Sequence, residues 1–385
     1  MPKFLIAGKL LFVQNPTQET FLYRLLIKIV YYTTNLMFHS ANTYFRKENP
    51  CVEAPHPTIL LANHVAETDI VALAHVYKNI PRARTKFCFA MRQDIAEPNF
   101  LVKEFEPKGL IKIILWLIDK SQIIKILLVY VGGIGVKRAF RDDARKLLKQ
   151  GELRDLVDSQ WDKLAEGALQ GRNLFLFPEG KFSETGNMES IKRGTYLIFQ
   201  RIPNVRYNYF NFTYDFISEK KPVLHIGFGE NTYFPQDADE YTLAAEIKTK
   251  LGNSYVLTQG NIFSYILFRE DIKIGISEKD LTQKLNKFLE KVKSADKYFI
   301  AKELLSDKLN PLFQKFLAKA IKSGFLIKDE SSNVHSTEKL ATSNFRNGKD
   351  MRRRNPYLYH CNQLKYYLEE FDRFYLESLL LDIPD

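Results

Sequence analysis

The sequence predicts an α/β fold, a sheet flanked by helices, with an amphipathic helix ahead of it and a helical extension behind. Short runs rich in branched and aromatic side chains, at 58–62, 86–92, 173–177, 206–216 and 223–228, alternate with helical periodicity at 69–78 and 153–171. Such alternation builds a sheet with covering helices. Beyond about Gly275 it stops, and helical patterns follow at 277–293, 295–306 and 311–323. The 385 residues hold one large or two medium domains, and 45% hydrophobic residues suffice for a substantial core.

A formal charge of +11 implies an anionic partner: nucleic acid, a phosphate-bearing substrate or an anionic membrane surface. Nucleic acid fits worst, because the basic residues are dispersed and no binding motif accompanies them. Three cysteines, Cys51, Cys88 and Cys361, have neither paired nor metal-like spacing, which reads as a reducing compartment without disulfides. Lys3 and Lys9 precede a short apolar run, Leu10 to Val13, that meets Gln14-Asn15-Pro16 and no small-residue cleavage site, so a secretory signal is not expected.

In chain order, residues 19–45 carry a helical pattern with Arg24 and Lys28 on one face and apolar or aromatic residues over the rest. Two charges and the following Thr33-Thr34-Asn35 leave it short of the roughly 20 apolar residues that span a bilayer. It reads as a helix in the membrane interface, or else as one packed on the core. The most hydrophobic segment, 109–131, is interrupted at Asp119-Lys120-Ser121. Two short helices with edge lysines, Trp116 and Tyr130 would make a monotopic membrane contact or an apolar wall for a ligand, with plain core burial as the alternative. Gly133-Ile134-Gly135 is not a dinucleotide fingerprint, since Arg138 replaces its third glycine; a strand ending in Lys137-Arg138 suits a phosphate instead.

Chemistry concentrates in two places. The strand-like run 58–62 ends at Asn63-His64, and five positions after His64 stands Asp69, where a helix should start. A turn between them folds the carboxylate back to one imidazole nitrogen and leaves the other for a reacting group: a base with its orienter. The second place is Phe177-Pro178-Glu179-Gly180, at the C-terminal end of a strand, where open α/β sheets bind ligands. The next helix carries Lys192-Arg193 near its start. No metal constellation is evident. Past 323, a polar stretch at 328–354 with a basic Arg352-Arg353-Arg354 run reads as loop or disorder, and 364–381 as a final one-sided helix.

Four blocks in order, Asn63 through Asp69, Gly132 through Arg138, Phe177 through Gly186 and Lys221 through His225, resemble the glycerolipid acyltransferase superfamily, whose members acylate glycerol-3-phosphate and lysophosphatidic acid. The resemblance spans about residues 55–230. Ala66 stands where the family usually has serine, Lys181-Phe182 where it has a Thr-Arg pair, and His225 where it has a second proline. It implies a mixed sheet flanked by helices; with the patterns above, the chain divides into an N-terminal interfacial segment at 1–45, an acyltransferase domain at 46–275 and a helical extension at 276–385. It also implies His64 as catalytic base, Asp69 as its orienter, Glu179 and Gly180 holding the acceptor's glycerol backbone, and Arg138, Lys181, Lys192 and Arg193 as candidates to neutralise its phosphate. No cofactor is implied beyond an acyl thioester co-substrate, from acyl-CoA or acyl carrier protein. The acceptor is left open among 1-acyl-glycerol-3-phosphate, glycerol-3-phosphate and another lysophospholipid; the implied location is the cytoplasmic face of a membrane. Competing readings are a thioester hydrolase, which needs no phosphate site, and an inactive lipid-binding protein at the membrane, suggested by Ala66 and Phe182.

Overall fold

A computed structural model describes residues 20–45, 58–66, 68–78, 86–92, 99–105, 107–136, 152–202, 204, 206–230, 232–234, 237–270 and 272–380. Lys137, Arg138, Cys51 and the N-terminal lysines lie outside them. The first half runs α1 (Phe21–Met37), β1 (Ser40–Phe45), β2 (Thr58–Ala62), α2 (Asp69–Lys78), β3 (Phe87–Arg92), α3 (Phe100–Phe105), α4 (Gly109–Ser121), α5 (Ile123–Tyr130), β4 (Gly133–Val136), α6 (Glu152–Leu169) and β5 (Asn173–Leu176). There follow α7 (Arg193–Arg201), β6 (Arg206–Asp215), β7 (Val223–Phe228), β8 (Thr232–Tyr233) and α8 (Glu240–Asn253).

These strands make one mixed sheet in the order β1-β7-β6-β2-β5-β3-β4, with β8 on β6. Neighbours pair in parallel except β6 with β7 and with β8. Every residue of β2 is buried, and its side chains alternate between two cores as the two-residue strand period requires. Leu60 and Ala62 join Phe175, Phe210, Phe212 and Tyr214 under α2. Ile59 and Leu61 join Leu174, Leu176, Tyr207 and Tyr209 against α6, α7 and α8. A sheet covered on both faces exposes its strand ends, so the C-terminal ends of β2 and β5 are where a site can open.

The chain continues through β9 (Val256–Leu257), α9 (Gln259–Arg269), β10 (Ile276–Ser277), α10 (Glu278–Ser294), β11 (Phe299–Ile300), α11 (Leu309–Lys322), β12 (Leu326–Lys328), β13 (Asn333–Ser336), α12 (Glu338–Ala341), α13 (Gly348–Arg354), α14 (Pro356–Gln363) and α15 (Leu368–Leu380). Their core gathers Phe263, Leu285, Phe288, Phe313 and Phe371, and takes in Ile217 just beyond β6. The buried Asp215 joins this part to the sheet: it accepts the amide of Gly260 at the start of α9 (2.8 Å) and those of Ile217 and Ser218.

Three expectations need correction. The helix expected over 19–45 ends at Met37, and Ser40–Phe45 is a strand, because parallel pairing with β7 and stacking of Phe45 on Phe228 outweigh local helix preference. The pattern at 295–306 is not an α-helix: Asp296 takes a φ of 44°, β11 pairs with β9, and only a 3-10 turn, Lys302–Leu305, follows. The stretch 328–354 is ordered structure, not loop. Strand β13 pairs with β10 and β12, and α12 and α13 follow. Three buried apolar side chains, Val334, Leu340 and Met351, anchor it, together with Asn355, whose amide donates to the carbonyls of Leu340 (2.8 Å) and Thr342 (3.1 Å).

Candidate active site

Asn63 determines where β2 stops. Its side-chain amide donates to the Phe212 carbonyl (3.0 Å) and its oxygen accepts the Phe212 amide (2.7 Å), so the side chain substitutes for ladder pairing and frees the backbone to turn. His64, Val65 and Ala66 form that turn, and Asp69 opens α2, where a carboxylate suits the helix N-terminus. One oxygen of the fully buried Asp69 accepts the amides of Val65 (2.6 Å) and Ala66 (3.0 Å) and contacts His64 Nδ1 at 2.9 Å. The other accepts the Tyr214 hydroxyl at 2.7 Å. With Nδ1–H donating to the carboxylate, Nε2 is the nitrogen that carries the lone pair.

The imidazole is packed between aromatic rings. Phe177 stacks on it with centroids 3.8 Å apart and planes 9° from parallel, while Phe182 meets it at 4.1 Å and 51°; the side chain keeps 12% exposure.

Glu179 follows β5, the parallel neighbour of β2, so it reaches the same edge of the sheet. The turn behind it needs Gly180, whose φ is +66° and whose amide donates to Phe177 O (3.0 Å). Both Glu179 oxygens are engaged by the chain's own backbone: the His64 amide donates to one (2.8 Å) and the Glu189 amide to the other (2.6 Å). Burial drives its carboxyl up to about 7, against the opposing pull of these two donors. The Ser183 amide returns to the His64 carbonyl at 2.8 Å. Glu179 therefore ties the loop after β5 to the turn after β2. Among the described residues, the space that His64 and Glu179 border together is a cavity of about 20 Å³, with Asn187, Tyr255 and Tyr366 also in its wall. That is room for a water molecule or two, not a lipid.

The candidate cations do not converge. Lys181 Nζ lies 3.3 Å from Glu184 and 3.6 Å from Glu189. Lys192, whose side chain crosses Gly180, donates to Ser190 Oγ (2.9 Å). Arg193 points outward to Glu240 at 3.5 Å, and Arg138 lies outside the described residues. No group of three or more His, Cys, Asp or Glu side chains among the described residues could hold a metal ion. The sequence points to no role at the site for Tyr214 or for Arg352, which donates to the Val65 carbonyl at 3.0 Å. Tyr214 gives no local signal, since it meets Asp69 from 145 residues away; Arg352 is visible in sequence only as part of a basic run.

Helices α1, α4 and α5 expose a broad apolar surface. Phe21, Tyr32 and Leu36 of α1, Leu110, Ile111 and Leu117 of α4, and Ile123 and Ile126 of α5 are all exposed. On its inner side, α1 is fixed by the buried Tyr23, whose hydroxyl accepts the Phe87 amide (3.1 Å). Asp119 ends the long apolar segment by turning inward to accept the amides of Leu101 and Val102, both at 3.2 Å. Among the described residues no helix is long and apolar enough to cross a membrane.

No family model matches the chain, and no curated protein matches it. Among solved structures, 59% of the chain is similar to 75% of the 1-acyl-sn-glycerophosphate (LPA) acyltransferase PlsC from Thermotoga maritima, at 13% identity and a TM-score of 0.35; a likeness so distant decides neither fold nor activity.

Proposed function

We propose that the chain is an O-acyltransferase that moves a fatty acyl group from an acyl thioester to a hydroxyl of a glycerophospholipid precursor, with 1-acyl-glycerol-3-phosphate as the first acceptor to test. One observation carries the reading: an imidazole whose Nδ1 is held by a buried, multiply bonded carboxylate at the end of a parallel strand, which presets Nε2 as a proton acceptor. In the reaction His64 Nε2 takes the alcohol proton as the oxygen attacks the thioester carbonyl. The new C–O bond forms, the C–S bond breaks, and the imidazolium returns its proton to the leaving thiolate. Asp69 and the face of Phe177 stabilise the transient imidazolium. No enzyme nucleophile is needed, and the sequence has no G-x-S-x-G elbow. Hydrolysis, with water as the nucleophile, is the second reading, since the cavity beside His64 has room for a water molecule.

The substrates are lipids, and the apolar surface of α1, α4 and α5, with Arg24, Lys28, Lys112 and Lys125 on the same helices, supports peripheral attachment to an anionic membrane on its cytoplasmic face. Donor choice between acyl-CoA and acyl carrier protein is tested alongside the acceptor. Purified protein is given labelled palmitoyl or oleoyl thioester with 1-acyl-glycerol-3-phosphate, glycerol-3-phosphate or another lysophospholipid, and products are separated by chromatography. Labelled diacyl product from the first acceptor supports the reading; free fatty acid alone supports hydrolysis, and no turnover supports the inactive lipid-binding protein.

A further inference from the structure

We propose that Arg352, on α13 of the C-terminal region, is a positioning residue for the His64–Asp69 pair, so that this region forms part of the active site; the inference rests on the acyltransferase reading. Arg352 Nη1 donates to the Val65 carbonyl at 3.0 Å. That carbonyl and the Ala66 amide belong to one peptide unit, and the Ala66 amide donates to Asp69 at 3.0 Å. The peptide is thus held from opposite sides, by a guanidinium at its oxygen and a carboxylate at its N–H. A charged donor polarises the peptide and strengthens the bond that its N–H makes.

A second path reaches the same carboxylate. The guanidinium lies 5.2 Å from the ring centroid of Phe216 and 5.7 Å from that of Tyr359. Phe216 stacks on Tyr214 at 5.5 Å and 16°, and the Tyr214 hydroxyl donates to the second oxygen of Asp69. Arg352 therefore braces both the turn that feeds one oxygen and the ring that feeds the other. Helix α13 is itself seated on the neighbouring catalytic loop: a Cβ on Gly348 would lie 2.4 Å from the Ser183 carbonyl, and the Ser183 amide is the one bonded to His64. From α14, Asn362 donates to the Thr185 carbonyl at 2.9 Å. Loss of the guanidinium frees the 65–66 peptide to rotate, and Asp69 then no longer holds the imidazole in one tautomer.

The test uses the full chain with Arg352→Ala, Arg352→Gln and Arg352→Lys, each first compared with wild type by circular dichroism and thermal melting. In Arg352→Ala, kcat is expected to fall about tenfold to a hundredfold, the loss that follows small misplacement of a catalytic group, while the acceptor's KM stays within about twofold. Lysine and glutamine each keep a donor for the Val65 carbonyl but lack the flat fork, so both recover part of the rate; they decide the matter if the alanine variant does not fold. The fall in kcat should be equal for a phosphate-bearing acceptor and a monoacylglycerol. A rise in KM confined to the phosphate-bearing acceptor would instead make Arg352 a substrate contact and overturn the proposal. In ¹⁵N-histidine spectra, with His64 assigned by its substitution, wild type is expected to show a single Nδ1–H tautomer and Arg352→Ala a mixture. Unchanged kcat with an unchanged tautomer overturns the positioning role. If wild type transfers no acyl group to any acceptor, the acyltransferase reading fails, and the tautomer comparison alone decides the role of Arg352.

Discussion

At Asp69 one carboxylate collects two amides, an imidazole N–H and a phenol, and exchange of one oxygen for an amide nitrogen tests what that collection does. Asp69→Asn either turns an N–H group toward donors or presents its oxygen to Nδ1 without charge; in both cases the imidazolium loses its counterion. Turnover is expected to fall by about 10³-fold or more with acceptor KM little changed, as removal of the orienting carboxylate does in other His–Asp pairs. Glu179 gives a stability prediction. Its buried carboxyl titrates near 7, above its ordinary 4.5, so the folded state binds the proton more tightly than the unfolded chain does. Stability from this group is present below about pH 4.5 and is lost as pH rises through about 7. Thermal melts from pH 5 to 8 should therefore show wild type losing ground relative to Glu179→Gln, which does not titrate; parallel pH profiles would contradict this. His64, Asp69 and Glu179 were legible in sequence because the spacing and the strand ends that set their positions are local. Tyr214 and Arg352 were not, since they reach the same turn from 145 and 287 residues away.

Among elements, the strands were read most accurately where both faces are buried. The runs 58–62, 173–177 and 223–228 are mostly apolar, and the strands occupy Thr58–Ala62, Asn173–Leu176 and Val223–Phe228. Local pattern failed where pairing partners are distant, at β1 on β7 and at β13 between β10 and β12. Helices α8 and α9 also escaped notice: α8 has mixed polarity along its length, and α9, between Gln259 and Arg269, is buried nearly all round and shows no polar face. For α4 and α5 the exposed apolar side chains with Lys112 and Lys125 predict binding to vesicles that contain anionic lipid. Lys112→Gln combined with Lys125→Gln should weaken that binding about thirtyfold, at roughly 1 kcal/mol for each cation near the surface, and high salt should weaken it further. Vesicle sedimentation measures both effects. Equal binding to neutral and anionic vesicles would remove the electrostatic part of the account, and resistance to both high salt and alkaline carbonate would indicate an integral attachment.

For the whole molecule, the mixed sheet brings β2 and β5 side by side, and the loops after them meet through Glu179 and Ser183 while the C-terminal helices close over both. The sequence pattern indicated a sheet with helices around it and a helical region after it. It did not indicate that the helical region packs onto the turn after β2, because seating α13 there takes only a buried Met351 and a close backbone approach at Gly348 within an otherwise polar stretch. The central claim is that this assembly makes His64 a base for acyl transfer to an alcohol. The most direct measurement compares wild type with His64→Ala, shown folded by circular dichroism, in transfer of labelled acyl group from a thioester to 1-acyl-glycerol-3-phosphate. The account predicts labelled diacyl product from wild type and none above background from the variant; a variant that retains more than a small fraction of wild-type transfer would contradict it.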